Sequence, residues 1–249
     1  MNLFFKFLLT FLSPIVFLSM SCASTYAKPI VADLAVHSID IEHDFSGLDV
    51  LMFGARSDVG RIIVVLRGPE KKFMIRKKER IAGVWVNSKS AELEGVNSFY
   101  SMAATNPFSD IRNDQLLSSL GIGVENISMN TSYKEKDINE FKQALIKNKE
   151  KSGLYVKKVG KVTFWGETLF RTILKFPKNI ERGWYTAEVY LFSDGALTAV
   201  QSTPVLVRKT GFEALVYDFA YSHKLAYGCV CVALAVFAGW SANVLLRRI

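Results

Sequence analysis

The segment HSIDIEHD, His37 to Asp44, gathers two imidazoles and three carboxylates, the side chains that bind metals or move protons. Read as a strand, it puts His37, Ile39, Ile41 and His43 on one face and Ser38, Asp40, Glu42 and Asp44 on the other. At roughly 3.4 Å per residue the two imidazoles are about 20 Å apart, too far to share one ion. Asp40, Glu42 and Asp44 lie closer together and offer oxygens, but successive carboxylates on one strand face usually just meet water. No metal site is assigned to them.

Nucleophilic chemistry has less support. The sequence contains no GxSxG, the segment from Lys28 to Lys224 has no cysteine, and the third histidine, His223, stands at the edge of a long apolar run. Gly121-Ile122-Gly123 is a fragment of a dinucleotide-binding loop, but Asn126 occupies the place of the third glycine and no hydrophobic strand leads into it, so it reads as a helix C-cap. No catalytic residue and no cofactor is assigned. The enzymatic alternative is a hydrolase of envelope material built on dispersed carboxylates such as Asp40, Glu42 or Asp44, which needs two of them about 5 to 10 Å apart in a cleft.

The strongest charge signal is RGPEKKFMIRKKERIAGVWVN, Arg67 to Asn87. Arg67 to Arg80 holds seven bases (Arg67, Lys71, Lys72, Arg76, Lys77, Lys78 and Arg80) against Glu70 and Glu79. If Phe73 and Ile75 point inward, then Lys72, Met74, Arg76, Lys78 and Arg80 alternate outward. Cations about 7 Å apart along a strand suit anionic headgroups or an acidic partner. The plainer reading is that they guard an edge strand against pairing with another chain. Trp85, between Val84 and Val86, reads as a core aromatic of a buried strand.

Which anion this strand can meet depends on the compartment, and the two ends of the chain bear on that. Residues 1–27 carry one base, Lys6, an apolar run from Phe7 to Met20, and small residues with Thr25 and Ala27 at the −3 and −1 positions of a cleavage site. This predicts a secretory signal, with lipidation at Cys22 or an uncleaved anchor as alternatives. Residues 225–246 form an uncharged run, LAYGCVCVALAVFAGWSANVLL, which at about 1.5 Å per residue spans roughly 33 Å against a hydrocarbon core of about 30 Å. A transmembrane helix is predicted there. Arg247 and Arg248 follow it in a short tail, residues 247–249, that reads as cytoplasmic.

An exported segment between these ends contains 28 of the 31 bases, since Lys6, Arg247 and Arg248 lie outside it, together with all 23 acids. It is therefore mildly basic, faces an exported space, and has no nucleic acid to bind. Cys22 lies in the signal and Cys229 and Cys231 in the membrane run, so the exported segment can form neither a disulfide nor a thiolate zinc site.

From Val31 to Thr105, short β-branched or aromatic runs alternate with turn residues at roughly ten-residue spacing, the rhythm of an antiparallel sandwich. The period then changes. Ser109 or Asp110 can cap IRNDQLLSSL, ended by Gly121, and Asp137 opens INEFKQALIKNKEK, where Ile138, Phe141 and Leu145 share a face before Gly153. Sheet returns with LYVKKVG, VTFWG, TLFRTILKFP, GWYTAEVYLFSDG and ALTAVQSTPVLVRK, with a hairpin across Ser193-Asp194-Gly195. The fold class is mainly β: an immunoglobulin-like β-sandwich over residues 28–210, with a two-helix insertion at about 109–152. A juxtamembrane helix over 211–224, with Phe212, Leu215, Val216 and Phe219 at helical spacing, then runs on into the membrane helix.

Together RKKERIAGVWVN, NSFYSMAATNPFSDI, GWYTAEVYLF and GFEALVYDFAY before a membrane helix ending in Arg-Arg resemble a transmembrane protein family of alphaproteobacteria. The resemblance covers most of the chain after the signal. It implies placement in the bacterial inner membrane, carries little chemistry, and suggests association with sulfite-exporter-like permeases. The expectation is a single-pass envelope protein with its ectodomain in the periplasm, acting as a binding, scaffolding or transporter-accessory module and not as an enzyme. Its partners are the inner membrane and a permease or other envelope protein, and its candidate contact residues are Lys72, Arg76, Lys78 and Arg80.

Overall fold

A computed structural model describes residues 28–105, 114–131 and 135–246. The expected signal, the Ser109 or Asp110 cap and the Arg247-Arg248 tail lie outside the described residues. One sheet contains β1 (Ile30–Leu34), β3 (Gly47–Arg56), β10 (Thr163–Trp165) and β11 (Leu169–Pro177), in the order β1-β3-β11-β10. A second contains β2 (Ser38–Ile41), β4 (Arg61–Arg67), β7 (Tyr100–Ala104), β9 (Gly160–Lys161), β12 (Gly183–Ser193) and β13 (Ala196–Lys209), in the order β2-β13-β12-β4-β7-β9.

The two sheets face each other because alternate residues of their strands are apolar. In β11, Phe170, Thr172, Leu174 and Phe176 are buried while Leu169, Arg171, Ile173 and Lys175 are exposed. Ile62, Val64 and Leu66 of β4 and Tyr185, Ala187, Val189 and Leu191 of β12 meet that face from the second sheet. Phe176 stacks on Phe99 at 6.3 Å and meets Tyr185 edge-on at 5.7 Å. Burying one such side chain stabilises the fold by about 1.5–3 kcal/mol.

The second sheet is covered on both faces, which explains the unbroken apolar run of β4. On its far side Ile63, Val65, Tyr100, Met102, Tyr190 and Phe192 pack against Leu117, Ile122 and Ile127 of the inserted segment. That segment contains α1 (Asp114–Ser119), a 3-10 turn at Val124–Asn126 and α2 (Glu135–Lys151). Helix α2 opens two residues before Asp137, buries Phe141 and Leu145 as its spacing required, and gives way to Gly153 with φ 73°. The mainly-β sandwich with helical insertion is as the sequence indicated. Its sheets hold four and six strands, against four and three in the constant-type immunoglobulin scheme, so the immunoglobulin topology itself is not shown.

The sequence reading of KFMIRKK and AGVWVN as two sandwich strands needs correction. They belong to β5 (Glu70–Ile81) and β6 (Val84–Asn97), which with β8 (Asn130–Thr131) form a separate sheet. Only Gly68-Pro69 separates β4 from β5 and only Ser98-Phe99 separates β6 from β7. Across that gap the Gly68 N–H donates to the Phe99 carbonyl (2.8 Å) and the Ser98 N–H to the Pro69 carbonyl (2.9 Å). Strands β4–β5 and β6–β7 therefore make one two-stranded ribbon that runs out of the sandwich. A tight turn at Ala82 (φ 50°) and Gly83 (φ 88°) closes it.

The expected hairpin between β12 and β13 is present, turning at Asp194 (φ 51°) and Gly195 (φ 81°). Chain direction then identifies one end of the sandwich. Arg67 pairs with Thr186 and Gly183 with Val207, so the end of β4, the start of β12 and the end of β13 lie together. The ribbon leaves from this end. So does the C-terminal segment, as α3 (Phe212–Ser222) and α4 (Lys224–Leu246). The two helices are separate at His223 (φ −132°, ψ 60°), where one uninterrupted helix was expected.

Candidate functional site

Burial alternates along β5. Phe73 and Ile75 are half-buried and pack with Leu93, Val96, Met129, Ile138 and Leu145, so they turn toward α2. Lys72, Met74, Arg76, Lys78 and Arg80 are exposed, and the register shifts in the β5–β6 pairing place the extra residues on β6, so the alternation of β5 persists. Lys72 is ion-paired with Glu94 across the strands. The Arg76 guanidinium lies 3.6 Å from the Met74 sulfur, and Arg80 Nε donates to the Gly83 carbonyl (3.2 Å). β5 is an edge of its three-stranded sheet.

Trp85 is not a core residue. It is 67% exposed near the hairpin turn, directly across from Arg80, and Ile81 (58%), Val84 (66%) and Val86 (44%) are exposed beside it. Ile81, Val84 and Val86 share one face of the hairpin, and Arg80 and Trp85 share the other. Helix α2 grips the stem but not this tip. Lys149, in its last turn, is buried, donates to the Ser98 carbonyl (3.2 Å) and lies 4.0 Å from the centroid of the Phe73 ring, and burial pushes its ammonium pKa down. Nearer the tip, Lys77 pairs with Glu140 (2.6 Å).

Within residues 37–44, His37 and Asp40 meet different partners. His37 Nε2 lies 2.8 Å from Asp33 Oδ1, and Asp33 is held below the usual carboxylate range chiefly by the Leu34 N–H. Asp40 accepts from Arg208 Nε (2.6 Å), which holds its carboxyl below the usual range. β2 ends at Ile41, so His43 and Asp44 fall in the following turn, off the strand the sequence suggested. Among the described residues no group of three His, Cys, Asp or Glu side chains lies close enough to hold a metal ion. Gly121 (φ 62°) follows α1 and its N–H donates to the Ser118 carbonyl, a helix terminus as expected.

A polar network beneath the inserted segment has a positioning role. Arg67 Nε donates to Glu188 Oε2 (2.8 Å) and its terminal nitrogen to the Leu120 carbonyl (2.8 Å). Tyr190 donates to the same carboxylate oxygen (2.8 Å), and the Gly123 N–H donates to the Tyr100 hydroxyl (2.7 Å). These contacts fix the turn after α1 on the sheet. Burial pushes the Tyr190 hydroxyl up to about 12.

Sequence reasoning missed the outer face of the four-stranded sheet. There Val31 (55%), Phe53 (47%), Trp165 (74%), Leu169 (53%) and Ile173 (56%) are exposed, joined by Leu51. They are contiguous, because Ile173 pairs with Leu51, Trp165 with Leu169, and both Val31 and Leu169 with Ala55. The Arg171 guanidinium lies 5.6 Å from the Trp165 ring, and the Lys175–Asp49 pair (3.3 Å) borders the patch. A shallow depression of about 420 Å³ runs between Phe53 and Trp165. The signal was present in the outward positions of TLFRTILKFP, but it emerges only once the inward set is known.

At the end where the C-terminal segment leaves, Arg182 lies 5.2 Å over the Tyr217 ring of α3 and Lys71 pairs with Glu181. Lys71, Arg182, Trp184, Lys209, Tyr217 and Asp218 line an open groove of about 1010 Å³. Beyond it, residues 224–243 of α4 have a mean hydropathy of 1.8, long and apolar enough to cross a membrane, and none of that span is buried against the sandwich.

Among the described residues, a β-rich domain followed by one membrane-length apolar helix has the organisation of a transmembrane protein. The chain belongs to the family described as "Putative transmembrane protein" (Alph_Pro_TM), which matches residues 29–248. No curated protein matches it.

Proposed function

We propose that this protein is a single-pass, membrane-anchored binding module of the bacterial envelope that holds an integral membrane partner, of the permease class, on the outer face of its four-stranded sheet. The observation that carries this reading is the contiguous apolar patch of Val31, Leu51, Phe53, Trp165, Leu169 and Ile173. Apolar patches of this kind, bordered by charged pairs, mark protein interaction sites, and buried aromatic anchors supply much of the binding energy there. The tether favours a partner in the same membrane. Helix α3, eleven residues and so about 16 Å long, is the only element between the sandwich and α4, and the Arg182–Tyr217 contact holds it to the domain. Carried on the inner membrane with the sandwich in the periplasm, the patch would lie in the layer where permeases expose their loops.

A photo-crosslinking residue placed at Trp165 in the full chain, in cells of the source organism, tests this. The expected product joins the chain to a polytopic membrane protein, is absent when the residue stands at exposed Lys158, and is lost with Phe53→Asp. No product at Trp165 beyond that at Lys158 would refute the partner reading.

A further inference from the structure

The apolar tip of the hairpin calls for an occupant. Ile81, Val84, Trp85 and Val86 are all more than two-fifths exposed, and both faces of the ribbon carry apolar side chains at the turn. Such a tip suits a medium that receives it end-on. Three observations identify that medium. First, the ribbon leaves the sandwich at the same end as α3 and α4, since Arg67 of β4 and Val207 of β13 both pair close to the start of β12. Second, it has the reach: β5 has twelve residues, about 40 Å at full extension, while α3, the helix that leads into α4, is only about 16 Å long. Third, the charge is complementary, because the face that carries Trp85 also carries Arg76, Lys78 and Arg80 behind it.

We propose that the β5–β6 hairpin is a second membrane contact, in which Ile81, Val84, Trp85 and Val86 enter the interfacial layer of the bilayer that α4 crosses while Arg76, Lys78 and Arg80 meet anionic phospholipid headgroups. Indole is favoured at that depth, with an apolar body and an N–H that reaches water or headgroup oxygen. Valine and isoleucine gain by leaving water. Arginine and lysine stems lie along the apolar boundary while their charges stay at the headgroups. The stem stays rigid because α2 packs Ile138 and Leu145 against Phe73 and Ile75 and pairs Glu140 with Lys77. One anchor leaves a domain free to swivel about it. Two contacts fix its orientation, and with it the direction in which the outer face of the four-stranded sheet looks. The inference does not depend on the nature of any partner bound there.

The full chain, with Cys22, Cys229 and Cys231 changed to Ala, carries a bimane at W85C or, as a control, at W165C, and is reconstituted into vesicles of phosphatidylcholine with a minority of phosphatidylglycerol. Bimane at position 85 should emit at shorter wavelength and be quenched by brominated lipid and not by iodide. The control at 165 should show the reverse. Val84→Ser with Val86→Ser should abolish the lipid quenching, and Arg76→Gln, Lys78→Gln and Arg80→Gln together should reduce it and remove its dependence on phosphatidylglycerol and salt. Both sets lie outside the core, so the melting temperature should be unchanged. Iodide quenching at 85 without lipid quenching would overturn the proposal. A blue-shifted probe that brominated lipid cannot reach would also overturn it, by showing that the tip is covered by protein, here a second copy of the chain.

Discussion

Gly68 is where the ribbon passes out of the sandwich, and one added methyl should loosen it. A Cβ there would lie 2.5 Å from Ser98 Oγ, 2.8 Å from the Phe99 nitrogen and 2.9 Å from Phe99 Cβ. The hydroxyl can rotate away, but the backbone cannot. Phe99 is fully buried, stacks on Phe176, and accepts the Gly68 N–H at 2.8 Å. Inserting a methylene into a packed site costs about 1–3 kcal/mol. Reduced freedom of the unfolded chain offsets about 0.4–1 kcal/mol of that. Two of the three contacts are with Phe99, which cannot give way, so the cost lies in the upper half of that range. The expected net loss for Gly68→Ala is about 1–2.6 kcal/mol, and at about 2–4 °C per kcal/mol for a domain of this size the melting temperature should fall by roughly 2–10 °C. Thermal unfolding of the full chain in detergent, followed by the β signal in circular dichroism, reads this directly. Gly68→Ala with Ser98→Gly removes the nearest atom and leaves the backbone contacts, so it should recover only part of the loss. A single variant that melts with or above the wild type would show that the strands separate at Gly68 without cost, and would remove the argument that the hairpin is a stiff extension of the sheet.

Alkaline pH should destabilise the domain through its buried tyrosines. Burial raises both Tyr185 and Tyr190 to about 12, against about 10 in the unfolded chain. A raised folded-state pKa favours the neutral phenol, so this stabilisation is complete below pH about 10 and is lost as pH rises through about 12. The urea midpoint should fall across that window, and a flat midpoint would contradict it. For topology, a reporter active only outside the cytoplasm should be active when fused after Arg208 and inactive when fused after Ile249. The opposite pair of signals would put the basic strand in the cytoplasm and return nucleic acid to consideration.

The features legible in the sequence are those set by contacts between near neighbours in the chain. The uncharged run of α4 stands out as a helix of membrane length because length and transfer energy are read from the local sequence alone. The β12–β13 turn follows from Asp194-Gly195, which tolerate positive φ, and the buried face of α2 from Phe141 and Leu145 four residues apart. Where a strand is alternating but apolar on both sides, as in β11, spacing alone does not say which set is inside. Pairing with β3 turned Phe170, Leu174 and Phe176 inward and left Leu169 and Ile173 exposed. The same holds for GVWVN, whose β-branched and aromatic residues fit a buried strand as well as an exposed one. It became a projecting tip because its partner, β5, continues straight on from β4, and the ladder across Gly68 and Phe99 carries both strands past the end of the sheet. Local sequence determined that these residues are extended. Long-range register, which for β11 depends on residues more than a hundred positions away, determined what each of them touches.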